Sequence, residues 1–411
     1  MAGSSRVRQH SALRVAIDCR LMYYRKAGIA QYTRHLVQAL RHEPSSGSVE
    51  LSVILDRRDA DLAWLPAGVR VHRVITPAHH RLESLTLPLE LALRRIDVLH
   101  SPDFIAPRGR FRKVITIHDL YFMEHSEVMS AAGIRYYSRT RESACRADRV
   151  IAVSEYTRSE IMRLLPSVPV QKVRVIYEGA DNPAPDGLDR SHAGADDTSI
   201  STPSPSGNGP YTEVIAPIVS RPSSFADLKS KIRNSPYALF VGTFEPRKNL
   251  STLLRALKEL PGTLSLVIVG EPGWRNQSLQ EQARDLGVSD RIIFAGRLSD
   301  ADLGEAYEAA RMLVFPSLSE GFGLPVLEAM AHGTPVVCSN AGALPEITGD
   351  AALLHDPTDV AALARCMRIV LIFDSVHNDY ARRGRERVQA FTWQRAAQQT
   401  WEVYQACASS S

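Results

Sequence analysis

Cysteine is scarce and scattered. The five residues Cys19, Cys145, Cys338, Cys366 and Cys407 are odd in number and never form a C-x-x-C pair, which suits a reducing cytoplasm and argues against a disulfide framework or a zinc site. Long hydrophobic runs are missing too: "LSLVIVG" and "MRIVLIF" fall far short of the roughly 20 residues of a membrane span. The start, "MAGSSRVRQHSALRVAID", has no apolar h-region, so no secretory signal is expected and the reading is cytoplasmic. Two nucleotide signatures are absent. No complete G-x-G-x-x-G occurs, since Gly321 and Gly323 are followed by Val326, and no G-x-x-x-x-G-K-[ST] occurs; nicotinamide and nucleoside triphosphate enzymes are disfavoured.

What is present is a soluble globular composition. The chain has 411 residues, 44% of them hydrophobic and 23% charged, enough for about two to three domains with cores of their own. Charge is uneven: residues 1–182 carry 28 Lys and Arg against 19 Asp and Glu, and the remainder 21 against 26. The basic runs "PRGRFRK" and "RYYSRTRESACRADR" read either as solvated faces or as attraction to an anionic membrane surface or lipid-linked substrate. Few aromatics are interspersed, so nucleic acid is not expected as a partner.

Two halves share one rhythm. In the first, "RVAID", "VELSVIL", "VRVHRVI", "DVLHS", "KVITIHD", "RVIAVS" and "KVRVIYEG" alternate with helical stretches such as Gln31–Arg41 and Glu155–Leu165. In the second, "YALFVG", "LSLVIVG", "RIIFAG", "MLVFP" and "TPVVCS" alternate with helices starting near Asn249, Gln277, Asp300 and Gly323. Buried β-branched runs alternating with helices predict parallel sheets covered on both faces. The expected architecture is α/β, with two doubly wound Rossmann-like domains facing across a cleft: residues 1–182, completed by a C-terminal helix 392–408, and residues 236–391. Between them residues 183–235, rich in Ser, Pro, Gly and Asp, read as a linker or insertion.

Doubly wound sheets bind ligands at the carboxyl ends of their strands, and the unusual stretches lie there. "FVGTFEPRKNL", "VGEPGW", "FAGRL" and "FPSLSEGFGLP" follow strands of the second half, "RKAGIAQY" and "TIHDLYF" strands of the first. In "EGFGLPVLE", Gly321 and Gly323 allow a tight turn and Pro325 suits a helix's first turn. The amides of Phe322, Gly323 and Leu324 then point from a helix N-terminus, an anion site. Glu320 precedes the turn, and Glu328 stands about 7 Å further along at about 1.5 Å per residue. A glutamate repels a bare phosphate but binds a sugar hydroxyl. The pair therefore suits a diphosphate with a sugar on each side, a nucleotide sugar. Arg247 and Lys248 stand at a helix start, where the helix dipole opposes cations; this local conflict points to neutralisation of a diphosphate leaving group.

These residues carry a family resemblance. "EGFGLPVLE", followed by "AMAHGTPVV" and "AGALPEITGDAALLHDPTD", resembles the retaining GT-B glycosyltransferases of family 4, group 1, over nearly the whole chain apart from the Ser/Pro-rich segment. "GTFEPRKNL" and "VGEPGW" look most like the subgroup using GDP-mannose. The resemblance implies that Glu320 holds hydroxyls of the transferred sugar, Glu328 the ribose, and Arg247 and Lys248 the diphosphate. It places His118 against the sugar from the opposite domain. Gly28, Gly242, Thr243 and Glu271 would line the donor site, and Arg297 and Leu298 would contact the base through main-chain groups. Many members have Arg where Thr243 stands, and a second glycine where Ala30 stands. The implied partners are a nucleotide-sugar donor, GDP-mannose favoured, and a glycan or lipid-linked acceptor in surface polysaccharide or glycolipid synthesis, with peripheral membrane association at the inner face.

No cofactor and no metal are expected. Of two D-x-D patterns, Asp59 to Asp61 lies in a polar connection and Asp300 to Asp302 reads as a helix N-cap and first turn. His118 ends a buried strand and is open to a core reading as well as a site reading; His80, His100 and His332 read as structural. The alternatives are a UDP-sugar enzyme of the same family, a nucleotide-sugar epimerase, active without an acceptor, and a degenerate glycan-binding protein.

Overall fold

The computed structural model describes residues 12–24, 28–43, 49–80, 82–126, 131–180, 224–232, 235–271 and 279–409. Seven strands, β1 (Leu13–Asp18), β2 (Val49–Asp56), β3 (Arg70–Val74), β4 (Val98–Ser101), β5 (Arg112–Ile117), β6 (Arg149–Ala152) and β7 (Val173–Val175), form one sheet in the order β3-β2-β1-β4-β5-β6-β7. Six more, β8 (Tyr237–Val241), β9 (Ser265–Val269), β10 (Ile292–Gly296), β11 (Met312–Phe315), β12 (Val336–Ser339) and β13 (Ala352–His355), form a second in the order β10-β9-β8-β11-β12-β13. All neighbours are parallel. Each sheet starts in its middle, winds outward to one edge, then returns to wind the other way. The order therefore reverses between β1 and β4 and between β8 and β11, the places where such sheets open a crevice.

The runs that form strands are those apolar on both faces. Val15, Ala16 and Ile17 of β1, and Met312, Leu313, Val314 and Phe315 of β11, have no exposed surface, because helices cover each sheet twice over. The helix anticipated over Gln31–Arg41 runs from Gly28 to His42. Its inward side chains Tyr32, Leu36, Val37 and Leu40 share one core with Trp393, Trp401 and Tyr404 of the last helix, Trp393–Ser409. That helix lies on the first sheet, where the indole of Trp401 donates to the Leu40 carbonyl at 3.2 Å. His100 hydrogen-bonds the Tyr404 hydroxyl at 2.6 Å and Thr116 at 2.8 Å, and burial pushes its pKa down to about 3. The chain thus crosses between the sheets twice, and the two crossings run side by side, the Ala180 amide donating to the Phe391 carbonyl at 3.2 Å.

Part of the segment read as a linker has structure. Phe225–Ile232 is a helix whose Phe225, Leu228 and Ile232 enter the core of the second domain, so the linker reading does not hold for these residues. Their spacing of three and four is the helical signal, masked in sequence by the polar stretch before it. Most of the segment, residues 183–223 with 233–234, lies outside the described residues, as do residues 25–27 of "RKAGIAQY" and 272–278, which hold the end of "VGEPGW" and the expected helix start at Gln277.

Candidate active site

The loop after β8 and the loop after β11 flank the switch point of the second sheet, and both are shaped locally by their sequences. In "EPRKNL", Pro246–Lys248 forms a single 3-10 turn, and Asn249 follows with φ 56°. Asparagine tolerates that left-handed backbone better than most residues. Its side-chain amide donates to the carbonyls of Pro316 at 3.0 Å and Pro357 at 2.7 Å, tying this turn to the neighbouring loop. The Leu318 amide donates back to the Arg247 carbonyl at 2.8 Å.

This clamp assembles three charges. Lys248 Nζ donates to Glu320 Oε1 at 2.7 Å, and Arg247 Nη1 donates to Glu320 Oε2 at 2.9 Å and to the Ser319 carbonyl at 2.8 Å. Lys248 and Glu320 are buried. Burial opposes ionisation of Glu320, but the two cations outweigh it and hold its pKa at about 2. One carboxylate shared between two cations leaves Lys248 the less compensated member: burial, aided by Arg247, lowers its pKa against the pull of Glu320. The triad carries one excess positive charge in a setting where charge is costly to leave unpaired. Two further acids act on Arg247: Asp119 of the first domain, and Glu245, 3.8 Å away, which also accepts from the Thr243 hydroxyl at 2.9 Å.

The glycine-rich turn after Glu320 meets the first domain. A β-carbon on Gly321 would lie 1.7 Å from the His118 carbonyl oxygen, so only glycine fits there. The Gly321 carbonyl accepts from Ser154 Oγ at 2.6 Å and Thr157 Oγ1 at 3.1 Å. Gly323, with φ 114°, caps the helix Leu324–Ala331. Among the described residues the amides of Phe322, Gly323 and Leu324 have no acceptor within the chain. A helix N-terminus with free N–H groups therefore adjoins the Arg247–Glu320–Lys248 triad, an arrangement that can hold an anion.

His118 faces the same joint. Its Nδ1 lies 3.0 Å from Glu178 Oε1 and its Nε2 3.0 Å from the Pro102 carbonyl. Burial disfavours the imidazolium, but the hydrogen bond and charge of Glu178 outweigh it and raise the pKa. Tyr121, from the same loop, lies with its ring 6.0 Å from the Arg247 guanidinium carbon. Glu346 of the second domain accepts from the amides of Glu155 at 2.7 Å and Tyr156 at 3.0 Å, capping a helix of the first.

The structure thus brings Glu320, Arg247 and Lys248 into one cluster, with Gly321 to Leu324 beside them and His118 across the joint. The Phe322 ring is buried against Tyr177 and Phe391, and Leu324 packs against the cores of both domains, so these two residues offer main chain rather than side chain. Glu328 stands apart, accepting from the Tyr307 hydroxyl at 2.7 Å. Gly242, Glu271 and Arg297 gather at the ends of β8, β9 and β10: the Gly242 amide donates to Val269, the Phe244 amide to the Glu271 carbonyl, and Arg297 lies 3.9 Å from the Glu271 carboxylate. Leu298 is partly buried on the core nearby. Gly28 opens its helix in open space, and Ala30, at the position where many family members have a second glycine, is buried within that helix. Asp300 and Asp302 lie in the first turn of a helix capped by Ser299 rather than Asp300, and Asp302 accepts from the Phe225 amide at 2.8 Å.

Sequence reasoning missed Ser154, Thr157, Glu178, Tyr121 and Glu346. Ser154 had a readable signal, a serine three residues before Thr157 at the start of a helical stretch. The others became partners only through contacts far apart along the chain.

Fold and site define a class: a two-domain enzyme of GT-B architecture with a cluster of charged residues at the joint. The model of Glycosyltransferase Family 4 matches residues 27–182 and that of Glycosyl transferases group 1 matches residues 225–387. O-antigen chain mannosyltransferase B of Escherichia coli is 32% identical over 312 residues, 75% of this chain and 74% of its own. MMP alpha-(1->4)-mannosyltransferase of Mycolicibacterium hassiacum is 36% identical over 44% of this chain and 45% of its own. Of solved structures, sucrose-phosphate synthase of Thermosynechococcus elongatus superposes with TM-score 0.72 at 22% identity, over 97% of this chain and 100% of its own. HepE of Anabaena, solved in complex with UDP-glucose, gives 0.67 at 20% identity, over 96% and 100%. The chain belongs to the group 1, family 4 glycosyltransferases.

Proposed function

We propose that this glycosyltransferase moves a hexose, mannose from GDP-mannose in first place, onto a hydroxyl of a glycan or lipid-linked acceptor, with retention of anomeric configuration. The observation that carries the reading is the net positive Arg247–Glu320–Lys248 triad beside the free amides of Phe322, Gly323 and Leu324. A diphosphate placed there meets two cations and a helix N-terminus together. The mannosyl preference draws on the relatives named above, and UDP-glucose in a solved neighbour supports the second reading, a UDP-sugar donor.

Mechanism follows from charge. The bond between the sugar C1 and the diphosphate oxygen breaks with oxocarbenium character, and its electron pair passes to the diphosphate, where Arg247 and Lys248 meet the growing negative charge. The acceptor oxygen bonds to C1 on the face the diphosphate leaves, and its proton passes to a diphosphate oxygen. Glu320 positions both cations, while its remaining lone pairs accept a sugar hydroxyl. Glu328, oriented by Tyr307, accepts from the ribose. His118 closes the sugar pocket from the first domain, and closure excludes water that would hydrolyse the donor.

The test is a thermal shift panel of GDP, UDP, ADP and dTDP, each with and without magnesium. A ligand of the folded state at about 100 times its Kd adds about 2.7 kcal/mol. A shift with GDP leads to assays with GDP-mannose and NMR of the product anomer. A shift with UDP alone moves the donor, and an inverted anomer overturns the stereochemistry.

A further inference from the structure

The first sheet has a switch point of its own, between β1 and β4, and the segments leaving it carry polar groups that the donor site does not use. Arg20 follows β1, Asp103 follows β4, and the segment after β3 supplies His79 and leads into the helix Glu83–Leu91. Arg20 is buried, and its N–H groups are all spent: on Asp18 at 2.8 and 2.6 Å, on Glu83 at 2.5 Å, and on the carbonyls of Thr76 and Pro77 at 3.1 and 3.3 Å. His79 Nε2 lies 2.8 Å from Asp103 Oδ2, and its ring stacks on the buried Tyr136 at 4.0 Å between centroids.

One atom of this group is left over. Glu83 gives Oε1 to Arg20, but its Oε2 is buried and has no hydrogen-bond partner among the described residues. The side chain is 7% exposed. A buried carboxylate oxygen without a donor is costly, and burial with the charge of Asp18 pushes the pKa of Glu83 up against the pull of Arg20. A donor brought by a ligand would relieve it. His79 marks the way in: it interacts with Glu83, its side chain is 24% exposed, and its backbone has φ 61°. Among the described residues the only other non-glycine residue with positive φ is Asn249, in the loop that carries Lys248. Such backbones cost energy and cluster at ligand sites.

Charge decides what the leftover oxygen accepts. Asp18, Glu83 and Asp103 stand against the guanidinium of Arg20, in a half of the chain otherwise rich in Lys and Arg. An incoming phosphate would meet carboxylates and find no free N–H on Arg20. A metal ion is disfavoured as well, since among the described residues no three His, Cys, Asp or Glu gather to hold one. A neutral hydroxyl fits, donating to Glu83 and exchanging hydrogen bonds with His79. The group also adjoins the joint, because Pro102, the residue before Asp103, places its carbonyl 3.0 Å from His118 Nε2. We infer that Glu83, His79 and Asp103 select the acceptor by a neutral, hydroxyl-bearing end group, a sugar, and turn away an acceptor whose phosphate would lie there. The inference rests on the proposed function and narrows it, since of a glycan or lipid-linked acceptor the part that this edge reads is sugar.

The full chain is titrated in saturation-transfer NMR with the methyl glycosides of mannose, glucose, galactose and N-acetylglucosamine, and with glycerol 3-phosphate, in the absence and presence of GDP and UDP. A glycoside is expected to bind, and Glu83→Gln and His79→Asn should each raise its Kd at least about tenfold. Asparagine tolerates the backbone of His79, so this variant carries the test if Glu83→Gln, which releases Arg20, melts early. A glycoside held equally by the native chain and both variants sits elsewhere and overturns the inference. So does glycerol 3-phosphate that binds the native chain and not the variants. A chain stabilised by nucleotide that binds none of the glycosides overturns this inference alone; one that binds a glycoside through Glu83 and His79 with no nucleotide shift overturns the donor reading alone.

Discussion

Gly321 lies against the His118 carbonyl so closely that a β-carbon would come within 1.7 Å of that oxygen. Two loops from different sheets, 203 positions apart in the numbering of these two residues, are thereby locked in contact at the joint between the two domains. Gly321→Ala should force them apart. A cost of about 1–3 kcal/mol is expected from overpacking, read as a lower denaturation midpoint, together with a larger loss of kcat than the stability change explains. Unchanged melting and turnover would show that the joint opens freely.

In the proposed mechanism Lys248 meets charge that grows as the diphosphate departs. Lys248→Ala should therefore lower kcat by about 100-fold, roughly 2.7 kcal/mol, and raise the donor KM far less. Arg247→Lys, which keeps charge but loses the forked contact to Ser319 and Glu320, should fall between the two. Steady-state kinetics with the donor found by thermal shift decide this.

Glu320 is shared between a buried lysine and a partly buried arginine, so Glu320→Gln leaves two cations facing one another. Breaking such a pair costs about 3–5 kcal/mol. Because the folded-state pKa is depressed to about 2, the carboxylate's contribution is fully present above the ordinary carboxylate range and is lost as pH falls toward 2. The stability gap between native and variant chains in urea should be constant from neutral pH to about pH 5 and narrow below it. A gap independent of pH would mean that the charge of Glu320 is not what matters.

His118 behaves in the opposite sense. Its pKa is raised by Glu178 against the effect of burial, so its contribution is fully present below the ordinary histidine range and lost as pH rises through the raised value. The difference in urea midpoint between the native chain and His118→Phe should be larger at pH 6 than at pH 9. A difference that grows with pH would reverse the assigned ionisation.

The strands were the readable part, because a strand buried on both faces must be apolar throughout, and "MLVFP" or "RVAID" can be little else. The glycine turn and its two glutamates were readable because no core needs them. Less could be read from the helices. The helix Glu83–Leu91 looks in sequence like any core helix, and only burial shows that Leu85 and Leu89 face out. The helix Phe225–Ile232 was lost in a polar surrounding for the reverse reason: eight residues give too few turns for periodicity to stand out.

By itself the amino-acid sequence determined two parallel, doubly wound sheets and the residue types that gather at the joint, because hydrophobic period and backbone permissiveness are local properties. It could not determine that Glu320 spends both oxygens on Arg247 and Lys248, that Glu328 turns instead to Tyr307, or that His118 pairs with Glu178. Those pairings depend on which loops the strand order brings to one edge, and on the loss of water around them. Both are decided only when the chain has folded.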